Sequence, residues 1–438
     1  MVRIYTQFIG LCSLICSVSW SYGQDVMLLD SLFAQSRVLQ KSYFGFSLYD
    51  IDSARYIYGQ HADRHFTPAS NVKVYTLYTA LQTIGDSIPG IQYVERGDSL
   101  IFWGTGDPTF LHPKLDNGRV YNFLKNSGKE LYYLSQNNPD GPFRNGWSIE
   151  DYNYSYQTDV VPFPIYGNLV RFVSDKGVLK AHPDRFDSMS VVRKERKRSF
   201  SIQRHLGDNV FELRGNIPRA YTTYKPFVWS DTLFAELLSD TLRLPVRVLK
   251  EVKSPYDKHV RVLYSASRNV VLREMMLPSD NFLAEQLSMV AAYSRYGDFL
   301  TDSLRKEMDS LYFSKLEDSV HLFDGSGLST YNKITPNNMI ALLLALNAEI
   351  ADEYALRMFF PAGGVDGTLK NAYRLDKSGP FVWAKTGTLR SVYAQSGYLV
   401  TKSGRKMAFS FLNNNFVGSA STVRGEVVRL MTYIYDNF

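Results

Sequence analysis

Between Ser42 and Asp52, apolar Phe44, Phe46 and Leu48 alternate with polar or small neighbours, the two-residue period of a half-buried strand. Turn residues at Asp50–Ser53 and a second run over Ala54–Gly59 make this a hairpin. Pro68 then precedes a helical pattern from Ser70 to Thr83, with Val74, Leu77, Tyr78 and Leu81 on one face. The far end of the chain mirrors this beginning. Phe381–Thr386, Val392–Val400 and Lys406–Asn413 read as three strands, Lys402–Arg405 as a polar turn and Val423–Tyr435 as an amphipathic helix. The pattern predicts one antiparallel sheet of five strands, built from both ends of the chain and covered by helices, an α+β arrangement.

The middle does not follow this pattern. Residues 96–250 are rich in Tyr, Gly, Asn and Asp, with short strands at Ser199–Gln203 and Asn209–Arg214 and a returning helix near Trp229–Ser239. A connection of this length inside a compact domain implies structure of its own, so one or two small, mostly-β inserted domains are expected here. The main domain is then expected to combine residues 24–95 and 251–438. Residues 1–23 read as a cleavable secretory leader: Arg3, an apolar Phe8–Trp20, and small residues in Ser21-Tyr22-Gly23 before Gln24. Both cysteines, Cys12 and Cys16, lie in that leader behind Leu11 and Ile15, which does not fit a lipid anchor. The chain that follows has no thiol, which excludes disulfides, cysteine nucleophiles and cysteine-ligated zinc. With no later apolar stretch near the ~18 residues of a membrane span, the expectation is an exported, periplasmic protein without a stable membrane anchor.

Composition narrows the choice little further. With 45% hydrophobic and 21% charged residues the chain can fill real cores. A formal charge of +6 is too small a bias to argue for nucleic acid.

Three short motifs carry the candidate chemistry. In Ser70-Asn71-Val72-Lys73 the serine and lysine share one helical face at a helix start, where backbone N–H groups can hold an oxyanion. The same spacing recurs at Ser303/Lys306 and Ser403/Lys406, but the first lies in a charged run and the second in a turn. Ser279-Asp280-Asn281 follows Pro278 and opens the apolar-faced stretch Phe282–Tyr293; a helix cap is the ordinary use of such residues. Lys385-Thr386-Gly387-Thr388 closes a buried strand, where glycine admits a substrate backbone and the lysine and hydroxyls can hold a carboxylate. The three types, in this order and on these elements, match the signature set of penicillin-binding proteins and class A β-lactamases. His61 and His65 have metal-like spacing, but Ala62 stands where a zinc protease needs glutamate, so no metal or cofactor is expected.

With these motifs in place, the chain resembles the class C, type-4 penicillin-binding proteins, the D-alanyl-D-alanine carboxypeptidase/endopeptidases. Thr67–Lys73 (TPASNVK), Gly104–Thr109 (GTGDPT), Ser279–Leu287 (SDNFLAEQL), Asp324–Ser329 (DGSGLS), Gly363–Lys370 (GGVDGTLK) and Ala384–Thr388 (AKTGT) carry the resemblance. About 200 residues separate Ser70 from Ser279, which suits this family's large insertions and not a compact β-lactamase. Thr330 departs from the family, which often has a basic residue there.

The resemblance implies a penicillin-binding/β-lactamase-like transpeptidase fold and a roster of roles. Ser70 would attack the carbonyl between two D-alanines, with a neutral Lys73 as base. Ser279 would relay a proton to the leaving amine, and Asn281 would orient Lys73 and the substrate amide. Lys385, Thr386 and Thr388 would bind the terminal carboxylate, Gly387 would admit the substrate, and N–H groups of Ser70 and Thr388 would form the oxyanion hole. Gly146-Trp147 followed by Asp151 stands where the family reads the amino-acid end of diaminopimelate. The expected partners are peptidoglycan stem peptides, with β-lactams as covalent inhibitors. A β-lactamase and a non-catalytic wall-binding scaffold are the alternatives, separable by penicillin turnover and D-alanine release.

Overall fold

The structure, a computed structural model, describes residues 26–193, 199–250, 259–316, 318–377 and 379–438. The expected leader at 1–23, most of the basic run Arg193–Arg198 and the expected boundary at 250/251 lie outside or at the edge of the described residues. The chain divides into two compact units. One takes the residues up to Val74 with Ser310–His321 and Asn332–Phe438, and the other takes Tyr75–Asp309 with Leu322–Tyr331.

The first unit is organised by a five-stranded sheet. Its strands are β1 (Tyr43–Asp50), β2 (Arg55–Gln60), β3 (Val382–Leu389), β4 (Val392–Val400) and β5 (Lys406–Asn414). They run in the order β3-β4-β5-β1-β2, every neighbouring pair antiparallel. Both ends of the chain meet at the β1–β5 ladder, where Phe46 faces Phe411 and Leu48 faces Phe409. On one face Phe44, Phe46, Leu48, Phe409 and Phe411 pack on Val423, Val427, Leu430 and Ile434 of the helix Ala420–Asn437. The three-to-four-residue spacing along that helix and the two-residue spacing along the strands bring both apolar faces into one core. Each such side chain contributes about 1.5–3 kcal/mol by leaving water.

The opposite face carries a different chemistry. Lys385, Ser396, Ser410 and Ser47 pair across β3, β4, β5 and β1 in one register row, all fully buried. Ser396 and Ser410 bond each other at 2.9 Å, and Ser47 Oγ donates to Asn337 Oδ1 at 3.0 Å. Asn337 belongs to the helix Pro336–Glu349, which is capped by Thr335 Oγ1 accepting from the Asn338 N–H at 3.0 Å. A line of polar side chains under a covering helix is stable because its hydroxyls find partners.

In the second unit a five-stranded mixed sheet runs Val246–Leu249, Glu130–Leu134, Ser99–Gly104, Ser87–Arg96, Arg261–Ser267. Two three-stranded sheets accompany it, one centred on Leu169–Asp175 and one on Phe211–Arg214. Its core is aromatic: Phe234 of the helix Asp231–Leu242 lies 4.6 Å from both Tyr133 and Phe163, ring centre to ring centre.

Two expected boundaries move. β3 continues past Thr386 to Leu389, because Gly387, Thr388 and Leu389 still pair with Ala394, Tyr393 and Val392. The lysine-threonine-glycine motif therefore sits within an edge strand rather than at its end. The first helix starts as a 3-10 turn, Ala69–Asn71, and becomes α-helical at Val72.

Candidate active site

Ser70 lies on the turn Ala69–Asn71 that leads directly into the helix Val72–Thr83. Ala69 before it holds a φ of 47°, in the left-handed region that side chains disfavour. Such strain concentrates at functional positions. One turn on, Lys73 Nζ stands 3.1 Å from Ser70 Oγ, and Lys73 is fully buried while Ser70 remains partly accessible. The pair has the geometry that nucleophile and base need.

The edge strand β3 lies flat against this turn. A Cβ on Gly387 would meet Pro68 O at 2.7 Å, Ser70 N at 2.8 Å and Ala69 Cβ at 3.0 Å, so no side chain fits. Two residues back, Lys385 is fully buried and donates to Thr386 O at 2.7 Å. Burial first, then the charge of Lys73, pushes the Lys385 ammonium well below the ordinary lysine range. Thr386 Oγ1 donates to Thr368 Oγ1 at 2.7 Å, and Thr388 is exposed. Ser70, Lys73 and Lys385–Thr388 are thus brought together in the first unit. They supply a hydroxyl, an adjacent amine, a second buried lysine and strand-edge backbone beside the serine.

Ser279, Asn281 and Asp151 belong to the second unit. Ser279 holds a φ of 64° in the turn between the helices Arg268–Met276 and Asn281–Tyr296. The helix is capped by Asp280, which accepts from the Leu283 N–H at 2.9 Å, so capping is not the role of Ser279. Asn281 Nδ2 donates to the Tyr156 carbonyl at 3.1 Å. Asp151 sits half-buried in the 3-10 helix Ile149–Asn153. Burial, with the hydrogen bond to the Asp151 carboxylate, pushes the Tyr156 hydroxyl up to about 12. The Asp151 loop and the Ser-Asp-Asn turn therefore share Tyr156 as a partner.

A deeper polar cluster supports this region. Glu285, one helical turn after Asn281, accepts from the Gly325 and Ser326 N–H groups at 3.0 and 2.7 Å. Its other oxygen lies 3.5 Å from Arg144 Nε, both side chains buried. Burial and the charge of Asp324 push the Glu285 carboxyl up, against the pull of Arg144. Asp324 in turn accepts from Trp147 Nε1 at 2.9 Å and from the Ser329 N–H at 2.6 Å.

A family model, the D-Ala-D-Ala carboxypeptidase 3 (S13) family, matches residues 26–432. The chain belongs to this family. It is 29% identical over 254 residues to the D-alanyl-D-alanine carboxypeptidase DacB of Haemophilus influenzae, spanning 52% of this chain and 51% of that one. It is 24% identical to the D-alanyl-D-alanine carboxypeptidase of Actinomadura sp. R39, over 87% of this chain and 79% of that protein. In fold it matches the penicillin-binding protein 4 of H. influenzae with a TM-score of 0.74 at 22% identity, covering 93% of this chain and 99% of the other. The same protein solved with a β-lactam matches at a TM-score of 0.68 and 21% identity, over 91% and 98% of the two chains. The expected family and transpeptidase fold are therefore established.

Within this S13 chain the competing serine-lysine pairs serve other ends. Ser303 is exposed on the helix Thr301–Leu311. Ser403 Oγ donates to the Phe438 carbonyl at 2.6 Å, and Lys406 pairs with Glu353. Thr368 and Glu285 are the site-supporting residues that motif reading did not assign. Glu285 left a signal: it is the sole acidic residue in the apolar run Phe282–Leu287, four positions from Asn281.

Gly387→Ala tests the close approach of β3 to the Ser70 turn. A methyl at that position forces the turn or the strand to move, and misplacement of about 1 Å costs on the order of 10²-fold in rate. We expect labelling of Ser70 by fluorescent penicillin to slow by that order, with a lowered melting temperature and unfolding that stays cooperative. Unaltered labelling kinetics would refute the constraint.

Proposed function

We propose that this protein is a serine D-alanyl-D-alanine carboxypeptidase/endopeptidase that acts on peptidoglycan stem peptides through an acyl-enzyme on Ser70. The observation that carries the reading is Lys73 Nζ at 3.1 Å from Ser70 Oγ, on a turn against which the edge strand β3 packs closely at Gly387. Lys73, in its amine form, takes the hydroxyl proton as Ser70 attacks the carbonyl. N–H groups of Ser70 and Thr388 hold the oxyanion. Ser279 passes the proton to the departing D-alanine amine, and Asn281 orients Lys73 and the substrate amide. Lys385, Thr386 and Thr388 receive the terminal carboxylate. Water then releases the acyl group, whereas a β-lactam leaves it in place. Residues 96–250 form the family's insertion, and Asp151 within it pairs with the free ammonium of a diaminopimelate-type cross-linking residue. Residues 1–23 export the protein to the periplasm.

Purified peptidoglycan digested with the protein should yield D-alanine and, for the endopeptidase activity, uncross-linked stem peptides identified by mass. Ser70→Ala should abolish both and also abolish penicillin labelling. Lys73→Arg keeps the charge but cannot give up its proton near neutrality, so acylation should fall by at least about 10²-fold. Near wild-type acylation in that variant would transfer the base role to Ser279.

Because burial holds Lys385 well below the ordinary lysine range, a carboxylate docking beside it favours its protonated form. Binding of a D-Ala-D-Ala peptide to Ser70→Ala should therefore take up protons. Calorimetry in buffers of different ionisation enthalpy reads this directly, and a binding heat independent of buffer would count against Lys385 as the carboxylate's partner.

Asp151→Ala should weaken cleavage of diaminopimelate-containing peptides by about tenfold or more, while reaction with benzylpenicillin stays unchanged. Equal loss on both, or none, would return Asp151 to an ordinary loop carboxylate.

A further inference from the structure

The second unit contains a cavity of about 370 Å³ that the proposed mechanism does not use. Its apolar walls come from Leu111, Tyr166, Leu169, Tyr224 and Phe282. The polar side chains are of mixed kind: His112, His182, Ser155, Arg171 and Asp280. A concave site of this size, mostly apolar with a small number of placed polar groups, is the usual form of a small-molecule site.

The lining chooses the ligand. The His112 and Phe282 rings lie parallel, 6.2 Å apart and inclined by only 2°, and Tyr224 is 41% exposed. These faces suit the C–H face of a saturated ring. Burial pushes the His112 imidazole below its ordinary range, and its Nδ1 accepts from the Lys114 N–H at 3.3 Å, so the neutral ring carries its proton on Nε2. The wall thus offers an imidazole N–H and a guanidinium as donors, a carboxylate as acceptor and a hydroxyl as either. Asp280 offsets the charge of Arg171, so the wall has no paired cations to hold a phosphate or a second carboxylate. A neutral ring bearing several hydroxyls satisfies both signs at once.

The cavity is also joined to the segments that the proposed function uses. Asp280 is the middle residue of Ser279-Asp280-Asn281, and Ser155 lies between Tyr154 and Tyr156 on the loop that carries Asp151. A peptide read by Asp151 and Asn281 is attached in the cell wall to a neutral amino-sugar. We propose that this cavity is a subsite for one N-acetylated amino-sugar of the glycan strand, so that the enzyme favours stem peptides still joined to their sugar. The inference rests on the reading of the chain as a stem-peptide hydrolase.

The test compares a free pentapeptide ending in D-Ala-D-Ala with the same peptide on an N-acetylglucosamine–N-acetylmuramic acid disaccharide, using the full chain. The glycan-linked peptide should show a kcat/KM about tenfold higher, the effect of one good contact. Tyr224→Ala and Arg171→Ala, both at exposed positions, should erase most of that advantage and leave free-peptide turnover and penicillin labelling as they were. Equal kcat/KM for the two peptides in the wild type, or equal losses on both in the variants, would overturn the subsite. Calorimetry with the peptide-free disaccharide reads the cavity independently of catalysis. Binding that Tyr224→Ala abolishes supports the subsite even if no peptide is cut, an outcome that would sink the hydrolase reading alone; absence of binding overturns the subsite.

Discussion

The flat contact between the edge strand β3 and the turn that carries Ser70 is the constraint on which the active-site geometry depends. The strand backbone comes so near the turn that a single methyl on Gly387 would meet Pro68 O and Ser70 N below 3 Å. That approach fixes the serine's backbone N–H beside the strand edge, and it sets Lys385 in the same buried volume as Lys73. A larger residue at 387 separates Ser70 from the strand. The five-stranded sheet exists, in this sense, to hold one edge rigid: its apolar face is packed on the C-terminal helix and its polar face is tied to the helix Pro336–Glu349.

Two lysines with no exposed surface are an electrostatic liability for the fold. Removing an ammonium from water is expensive, and a second cation nearby adds to the expense. Lys385 responds with a strongly lowered affinity for its proton, and its amine is anchored to the Thr386 carbonyl. The row of serines Ser396, Ser410 and Ser47 beneath the site shows how the sheet accommodates this: hydroxyls, not apolar groups, continue the line from Lys385 across the strands.

In the second unit the recurring device is a buried acid that organises backbone N–H groups. Glu285 gathers the Gly325 and Ser326 N–H groups, and Asp324 gathers those of Gly327 and Ser329. Charge-assisted bonds of this type are the strong ones, and each also satisfies a donor that would otherwise be buried alone. They tie the helix that begins at Asn281 to the Asp324–Ser329 loop and, through Trp147, to the segment leading to Asp151. Glu285 supports those elements without carrying a motif of its own.

Much of this was legible in the residues alone. The five strands and the C-terminal helix follow from two-residue and three-to-four-residue periods, and those periods survive because one face of each element is apolar. The three motifs identified their elements, since a helix start, an inter-helix turn and a buried strand each leave local marks. Their boundaries were less secure: β3 runs on to Leu389 because its partner β4 offers a ladder, which no local pattern in β3 announces. The cap at Asp280 rather than Ser279 depends on a φ of 64° that a sequence does not display. Which of three serine-lysine pairs lies against a strand edge, and which acid neutralises Arg144, are facts about neighbours far apart in the chain. Local chemistry named the candidates; long-range packing alone could place Gly387 against Ser70, because that contact joins residues more than 300 positions apart.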